Sequence, residues 1–184
     1  MNKTIIILLF LLNCNLIIGN ITRKDSIIEW SENQKLTWAD FLDTADENDA
    51  VADALTSYKI EIIPSNVKVD EQDRILNYKE LTVKANFYKY HSWHIEKTDK
   101  LLEHEQLHFD IAELFARKMR KEFVKMQREN DSKFDSYSKC YSRLWRECKE
   151  MQQLYDYETN HGREKEINLE WIEKIKLELK KYDE

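Results

Sequence analysis

Apolar and polar residues alternate along the first half of the chain in two separate runs. One covers residues 58–62 and is closed by Pro64, and the other covers residues 81–88. Strict alternation is typical of strands that pack one face on a core and leave the other face in water. We therefore expect a small antiparallel or mixed sheet, with the polar residues 70–77 as the turn between its strands.

Beyond residue 98 the apolar residues recur every three or four positions, a spacing that is typical of amphipathic helices. One long helix is predicted over residues 98–130, with Thr98 as its N-cap. Two further helices are predicted over residues 138–157 and 163–182. The buried face of the last helix is expected to carry Ile167, Trp171, Ile172, Ile175 and Leu179. Strands followed by helices predict an α+β domain.

The amino-terminal segment has the pattern of a secretory signal peptide. Lys3 is followed by a mainly apolar stretch, residues 4–19, that is too short and too interrupted to span a membrane. We expect cleavage at about residue 20, export of the protein, and contact with a membrane only through this segment. Residues 1–20 then form the signal, and residues 21–184 form one domain.

The chain has three cysteines. Cys14 lies in the signal segment, and its surroundings favour a plain residue of the signal over a lipoprotein anchor. Cys140 and Cys148 can form a disulfide only if the chain turns between them, because a continuous helix would separate them by about 12 Å. Two free thiols are the alternative, and the sequence leaves both open.

The charge of the chain excludes one class of partner. With 29 Lys and Arg against 35 Asp and Glu, the formal net charge is −6 at pH 7, and loss of the signal with Lys3 makes it one unit more negative. An acidic chain offers no basic field to the phosphates of a nucleic acid. We therefore expect no nucleic-acid partner.

Residues 104–108 read His-Glu-Gln-Leu-His and lie inside the long predicted helix. A spacing of four places His104 and His108 on the same face, about 6 Å apart, so both imidazoles can bind one metal ion. A catalytic zinc ion commonly has three protein ligands and an open position for water. Glu105 can then accept a proton from that water as general base. The motif predicts a Zn²⁺ hydrolase site.

A third protein ligand must come from elsewhere in the chain. His161 is the favoured candidate, because it follows a polar stretch at a junction between helices, where a side chain can be directed back at another helix. Carboxylates also suit zinc, and two further imidazoles are present. The competing candidates are Glu147, Glu150, Asp156, Glu158, His91 and His94.

Several short pieces, spread over most of the predicted domain, match one known family in the same order. They are residues 36–41, Ser92-Trp93, residues 101–113, Ala116-Arg117, Tyr155-Asp156, Thr159, His161-Gly162 and Trp171. In these pieces the chain resembles the bacterial family known as domain of unknown function 922, whose members are described as predicted secreted zinc-dependent proteases. The resemblance implies a zincin-like fold and a zinc peptidase activity. The chain departs from the family after Phe41, where a glycine is common and this chain has Leu42 and Asp43.

The resemblance also draws attention to a polar stripe on the long helix, at steps of four, three and four residues. The stripe is formed by Gln106, Asp110, Glu113 and Arg117. One interpretation is a solvated surface with a weak Glu113–Arg117 pair. The other is a set of contacts that hold the helix in place and orient the histidines.

The leading functional hypothesis is hydrolysis of peptide bonds in a peptide or protein substrate. A zinc-dependent amidase that acts on other substrates would use the same residues, and a zinc-stabilised binding module without catalysis is the third alternative. Tyr155 and Tyr157 are candidates for a hydrogen bond to the oxyanion, although the sequence favours core aromatic residues.

Overall fold

The computed structural model describes residues 26–45 and 52–182, and these form an α+β fold. The predicted signal segment, residues 1–20, lies outside the described residues. Within the described part of the chain, no helix combines the length and the hydropathy needed to cross a membrane. The elements, in chain order, are β1 (Ile27–Glu29), β2 (Ala54–Leu55), β3 (Tyr58–Ile63), β4 (Thr82–Tyr88), β5 (Trp93–His94), α1 (Asp99–Arg128), α2 (Phe134–Thr159) and α3 (Lys165–Lys180).

The larger sheet has three antiparallel strands in the order β1-β4-β3. Its buried face carries Val83, Ala85 and Phe87 and packs against α1. Its other face is polar, and the Lys84 ammonium lies 2.8 Å from a Glu29 carboxylate oxygen there. Both predicted strands and their alternation are confirmed, and the sheet is antiparallel. The smaller sheet, β2 with β5, was not predicted, because two-residue strands are too short to show a period.

The long predicted helix and its cap are confirmed. The Thr98 hydroxyl accepts a hydrogen bond from the Leu101 amide at 3.2 Å, and α1 then continues to Arg128. In contrast, α2 begins at Phe134 instead of residue 138. The prediction that Ile167 is buried was wrong, because Ile167 is 38% exposed and the inward position in the first turn of α3 belongs to Asn168.

Cys140 and Cys148 are both free thiols on α2. The helix is continuous between them, so its rise alone separates them by about 12 Å, which exceeds the reach of a disulfide. The structure therefore agrees with the free-thiol alternative. Cys148 is buried in the core, and burial raises the pKa of its thiol to about 12.

Candidate metal centre

Three side-chain atoms converge between α1 and the end of α2. The Nε2 atoms of His104 and His108 are 3.1 Å apart. Asp156 Oδ1 lies 3.1 Å from His104 Nε2 and 3.0 Å from His108 Nε2. Zinc ligands at about 2.0–2.1 Å in tetrahedral geometry stand about 3.3 Å from one another. Two imidazole nitrogens and one carboxylate oxygen therefore fit a zinc ion in both chemistry and spacing.

The two histidines are held by aromatic packing as well as by their helix. The His104 ring stacks on Tyr155 with ring centroids 4.6 Å apart, and His108 meets the same ring edge-on at 5.1 Å. His104 is almost completely buried, whereas the Asp156 side chain retains 31% exposure. Solvent therefore reaches the group from the Asp156 side.

In the absence of a metal, the pKa values of the two histidines shift in opposite directions. Burial lowers the pKa of His104, and Asp156 offsets this only in part. Burial also lowers the pKa of His108, but the hydrogen bond to Asp156 and the charges of Glu105 and Asp156 outweigh it, so this pKa is raised. Burial raises the pKa of Asp156, yet hydrogen bonds from both histidines hold it well below its usual range.

Glu105 lies beside this group and lines the same pocket. Glu105 is only 3% exposed, and its Oε2 atom has no hydrogen-bond partner among the described residues. The Thr56 hydroxyl donates to the Glu105 main-chain oxygen at 3.2 Å, which ties the helix to the segment after β2. A carboxylate oxygen without a partner is a good acceptor for a substrate or water proton.

His161, the favoured third ligand of the sequence analysis, lines the pocket but is not one of the three converging residues. Its Nδ1 atom is 3.6 Å from Asp156 Oδ1, and its side chain is 45% exposed. It stands between Asn160 and Gly162 in a run of three residues with positive φ that ends α2. The structure thus brings together His104, His108 and Asp156, and leaves His161 at the rim.

The other competing ligands lie outside the group. Glu158 accepts a hydrogen bond from the Trp171 indole at 2.8 Å, and Glu147 pairs with Arg143 at 2.9 Å. His94 packs edge-on against Trp38. Of the carboxylates weighed from the sequence, only Asp156 reaches both histidines among the described residues.

The pocket in front of the group has a volume of about 290 Å³. Residues 52–56 form one side, and Asp156 and His161 lie on another. An ion pair of 2.8 Å between Arg163 and Asp53 connects the two sides. Tyr58 also lines this pocket, and sequence reasoning treated it only as a strand residue. The alternation that identified the strand gave no indication that the phenol of Tyr58 lines the pocket with His104 and His108.

The first half of the polar stripe, Gln106 and Asp110, anchors the segment that contains Trp30 and Leu36 to α1. The Gln106 side-chain oxygen accepts from the Leu36 amide at 2.8 Å. Asp110 accepts from the Trp30 indole and from the Gln106 amide, each at 2.7 Å. These contacts hold the helix turn that carries both histidines, so the interpretation of the stripe as a support is the better one.

The second half of the stripe is a buried charge network. The Glu113 carboxylate is 3.0 Å from Arg117 and 2.7 Å from Arg120. Arg117 also donates to the Leu179 carbonyl, and Arg120 donates to the Val83 carbonyl. One carboxylate on α1 therefore connects the helix to both α3 and β4.

The two tyrosines considered for the oxyanion do not face the pocket. Tyr155 is fully buried, and its hydroxyl donates to Asn168 at 2.5 Å, as a core aromatic residue does. Tyr157 is 84% exposed and does not line the cavity. The core interpretation is correct for Tyr155, and Tyr157 is a surface residue.

Comparison with known proteins identified one family. The sequence profile described as bacterial protein of unknown function (DUF922) matches residues 33–162, a range that includes β2 to β5, α1 and α2. No curated protein and no solved structure matches the chain. The match covers both histidines, Asp156 and His161.

Proposed function

Because the chain belongs to the bacterial family of unknown function DUF922, we propose a function from its own site: a zinc-dependent hydrolase that cleaves peptide bonds. The observation that carries the proposal is the convergence of two imidazole nitrogens and a carboxylate oxygen within 3.0–3.1 Å. Each of these atoms can offer a lone pair to the same point. Lone pairs at this distance repel unless a proton or a metal cation lies between them.

Zinc is the metal that best suits this donor set, since it accepts nitrogen and oxygen ligands in a four-coordinate site. His104, His108 and Asp156 would hold the ion, and three protein ligands leave one position open. A zinc ion polarises a carbonyl group and lowers the pKa of water to about 7. His161 lies close enough to the rim to contact a bound substrate rather than the metal.

Glu105 is proposed as the general base. Its Oε2 atom, which has no hydrogen-bond partner within residues 26–45 and 52–182, would accept a proton from the attacking water and return it to the leaving amine. The buried position of Glu105 on α1 keeps the carboxylate from rotating into solvent. The substrate class is a peptide or protein, and residues 52–56 provide the wall along which it would lie.

The proposal includes a zincin-like arrangement, in which the helix with both histidines packs against the sheet, and export of the protein after loss of residues 1–20. Its support is the family resemblance, together with the packing of α1 against β3 and β4. A zinc amidase acting on other substrates and a zinc-stabilised binding module are the two alternatives that the experiment must separate.

The test combines metal analysis of the purified protein with a broad peptide-cleavage profile. The variants are Glu105→Gln and, as a matched control on the same helix, Glu103→Gln, whose side chain is exposed. We expect one zinc ion per chain in all three proteins, with turnover lowered about a hundredfold or more only in Glu105→Gln. Absence of zinc from the wild type contradicts the proposal. Cleavage of non-peptide amides but not of peptides supports the amidase. Bound zinc without any hydrolysis supports the binding module.

A further inference from the structure

Gln152 contacts His108 at two points. It lies on α2, one turn before Asp156, and is 6% exposed. Its side-chain nitrogen donates to the His108 main-chain oxygen at 2.9 Å. Its side-chain oxygen is 2.5 Å from His108 Nδ1. A single amide thus holds both the backbone and the ring of one proposed metal ligand.

These two contacts determine where the His108 proton lies. A carbonyl oxygen only accepts hydrogen bonds, so the Gln152 atom that faces the His108 carbonyl must be the amide nitrogen. The amide oxygen then faces Nδ1, and it can be satisfied only if Nδ1 carries a hydrogen. In a neutral imidazole the other nitrogen is consequently unprotonated. That nitrogen is Nε2, the atom that faces His104 and Asp156.

The Gln152 side chain also interacts with the Tyr58 hydroxyl and the Cys148 thiol, and this interaction partly offsets the burial that raises the pKa of each group. Rotation of the amide by half a turn would place its oxygen against the His108 carbonyl oxygen and its nitrogen against the Nδ1 hydrogen. Both contacts would then be repulsive, so the orientation has no equal alternative.

We propose that Gln152 is a positioning residue that fixes the Nδ1-protonated tautomer of His108 and so presents a bare Nε2 to the metal. The consequence for zinc rests on the proposed function, whereas the assignment of the tautomer does not. Outer hydrogen bonds of this kind orient a histidine ligand and increase its basicity. Their loss typically lowers metal affinity by about 10–100-fold.

The experiment measures the tautomer first and the metal second. In the metal-free protein labelled with ¹⁵N in histidine, at alkaline pH, long-range proton–nitrogen correlations assign each ring nitrogen of His108. We expect Nδ1 to be protonated in the wild type and in Gln152→Glu, which retains an acceptor oxygen. Gln152→Leu should give a mixture of tautomers. The control, Gln153→Leu, changes an exposed neighbour on the same helix and should resemble the wild type.

Zinc competition on the same four proteins completes the test. Affinity should fall about 10–100-fold in Gln152→Leu and stay near the wild-type value in Gln152→Glu and Gln153→Leu. An Nε2-protonated His108 in the wild type overturns the proposal without any variant, even if Gln152→Leu does not fold. Equal zinc affinity in Gln152→Leu and Gln153→Leu also overturns it. If the wild type binds no zinc, the proposed function fails and the tautomer alone decides the role of Gln152.

Discussion

Gly162 lies directly against the imidazole of His104. A β-carbon at residue 162 would stand 2.8 Å from both Cβ and Cγ of His104, closer than carbon atoms approach without a shift. Gly162 also has a φ of +77°, which favours glycine. The turn after α2 therefore packs directly against His104, the histidine that Asp156 also contacts.

We expect Gly162→Ala to lower zinc affinity by about tenfold or more, because the added methyl group displaces the His104 ring. Asn160→Ala is the control, since Asn160 also has a positive φ of 48° but is a different residue of the turn. It should cost about 1–2 kcal/mol of stability from backbone strain without a matching loss of zinc. Isothermal titration and thermal unfolding measure the two effects, and equal zinc losses in both variants would contradict the steric explanation.

Asp156 and His161 should differ sharply as metal ligands. Asp156→Ala leaves two ligands, which hold zinc poorly, so affinity should fall by more than about a hundredfold. His161→Ala removes a residue 3.6 Å from the Asp156 oxygen and should cost less than about tenfold. Competition with a chelating dye measures both. If His161→Ala lost more zinc affinity than Asp156→Ala, His161 and not Asp156 would be the third ligand.

The stability of the metal-free protein should fall as pH rises above neutrality. The pKa of His108 is raised from its ordinary value of 6.5, so the stability from its protonated form is complete below about 6.5 and is lost as pH rises through the folded-state pKa. The lowered pKa of His104 changes the free energy of unfolding only below about pH 6.5. The lowered pKa of Asp156 adds stability that is lost only as pH falls below about 4.

Thermal unfolding across pH, with a chelator and with excess zinc, tests this relation. His108→Gln should remove the alkaline decline in the chelated protein. With zinc, the decline should be replaced by a loss of stability at acid pH, because protons compete with the metal for His108. A chelated wild type whose stability does not change from pH 6 to pH 9 would show that His108 does not carry the proton.

The Glu113 network should contribute more to stability than an exposed ion pair. Glu113→Ala leaves Arg117 and Arg120 partly buried without their shared carboxylate, and we expect a loss of about 3 kcal/mol in the free energy of unfolding. Glu147→Ala breaks an exposed pair with Arg143 and should cost about 0.5 kcal/mol or less. Denaturant unfolding compares the two, and equal losses would mean that the network adds nothing beyond a surface pair.

The helix with His104 and His108 was predictable from sequence because its signals are local. A repeat of three to four residues, a cap at Thr98 and a spacing of four between the histidines all lie within one element. The strands β3 and β4 were predictable for the same reason. The two-residue strands β2 and β5 depend on a pairing between distant segments, which no local pattern records.

The sequence did not distinguish Asp156, the third residue of the candidate metal group, from its competitors, because its place near the histidines depends on how α2 packs against α1. His161 was favoured since loops can direct a side chain, yet α2 continues to Thr159 and places Asp156 on its last turn. One signal was available. Gln152 and Asp156 stand four residues apart on α2, as His104 and His108 do on α1, and the two polar pairs face each other.

Asp156 contacts His104 although the two residues are far apart in sequence. A metal ion held by both would close a loop between residues 52 positions apart. Cross-linking a loop of roughly 50 residues removes conformational entropy from the unfolded chain worth about 4 kcal/mol. Cys140 and Cys148 cannot form such a link, because both lie on one helix. A metal bound at the proposed site would therefore restrict the unfolded chain as a disulfide does in many small secreted proteins, and we expect its removal to loosen the attachment of α2 before the rest of the fold.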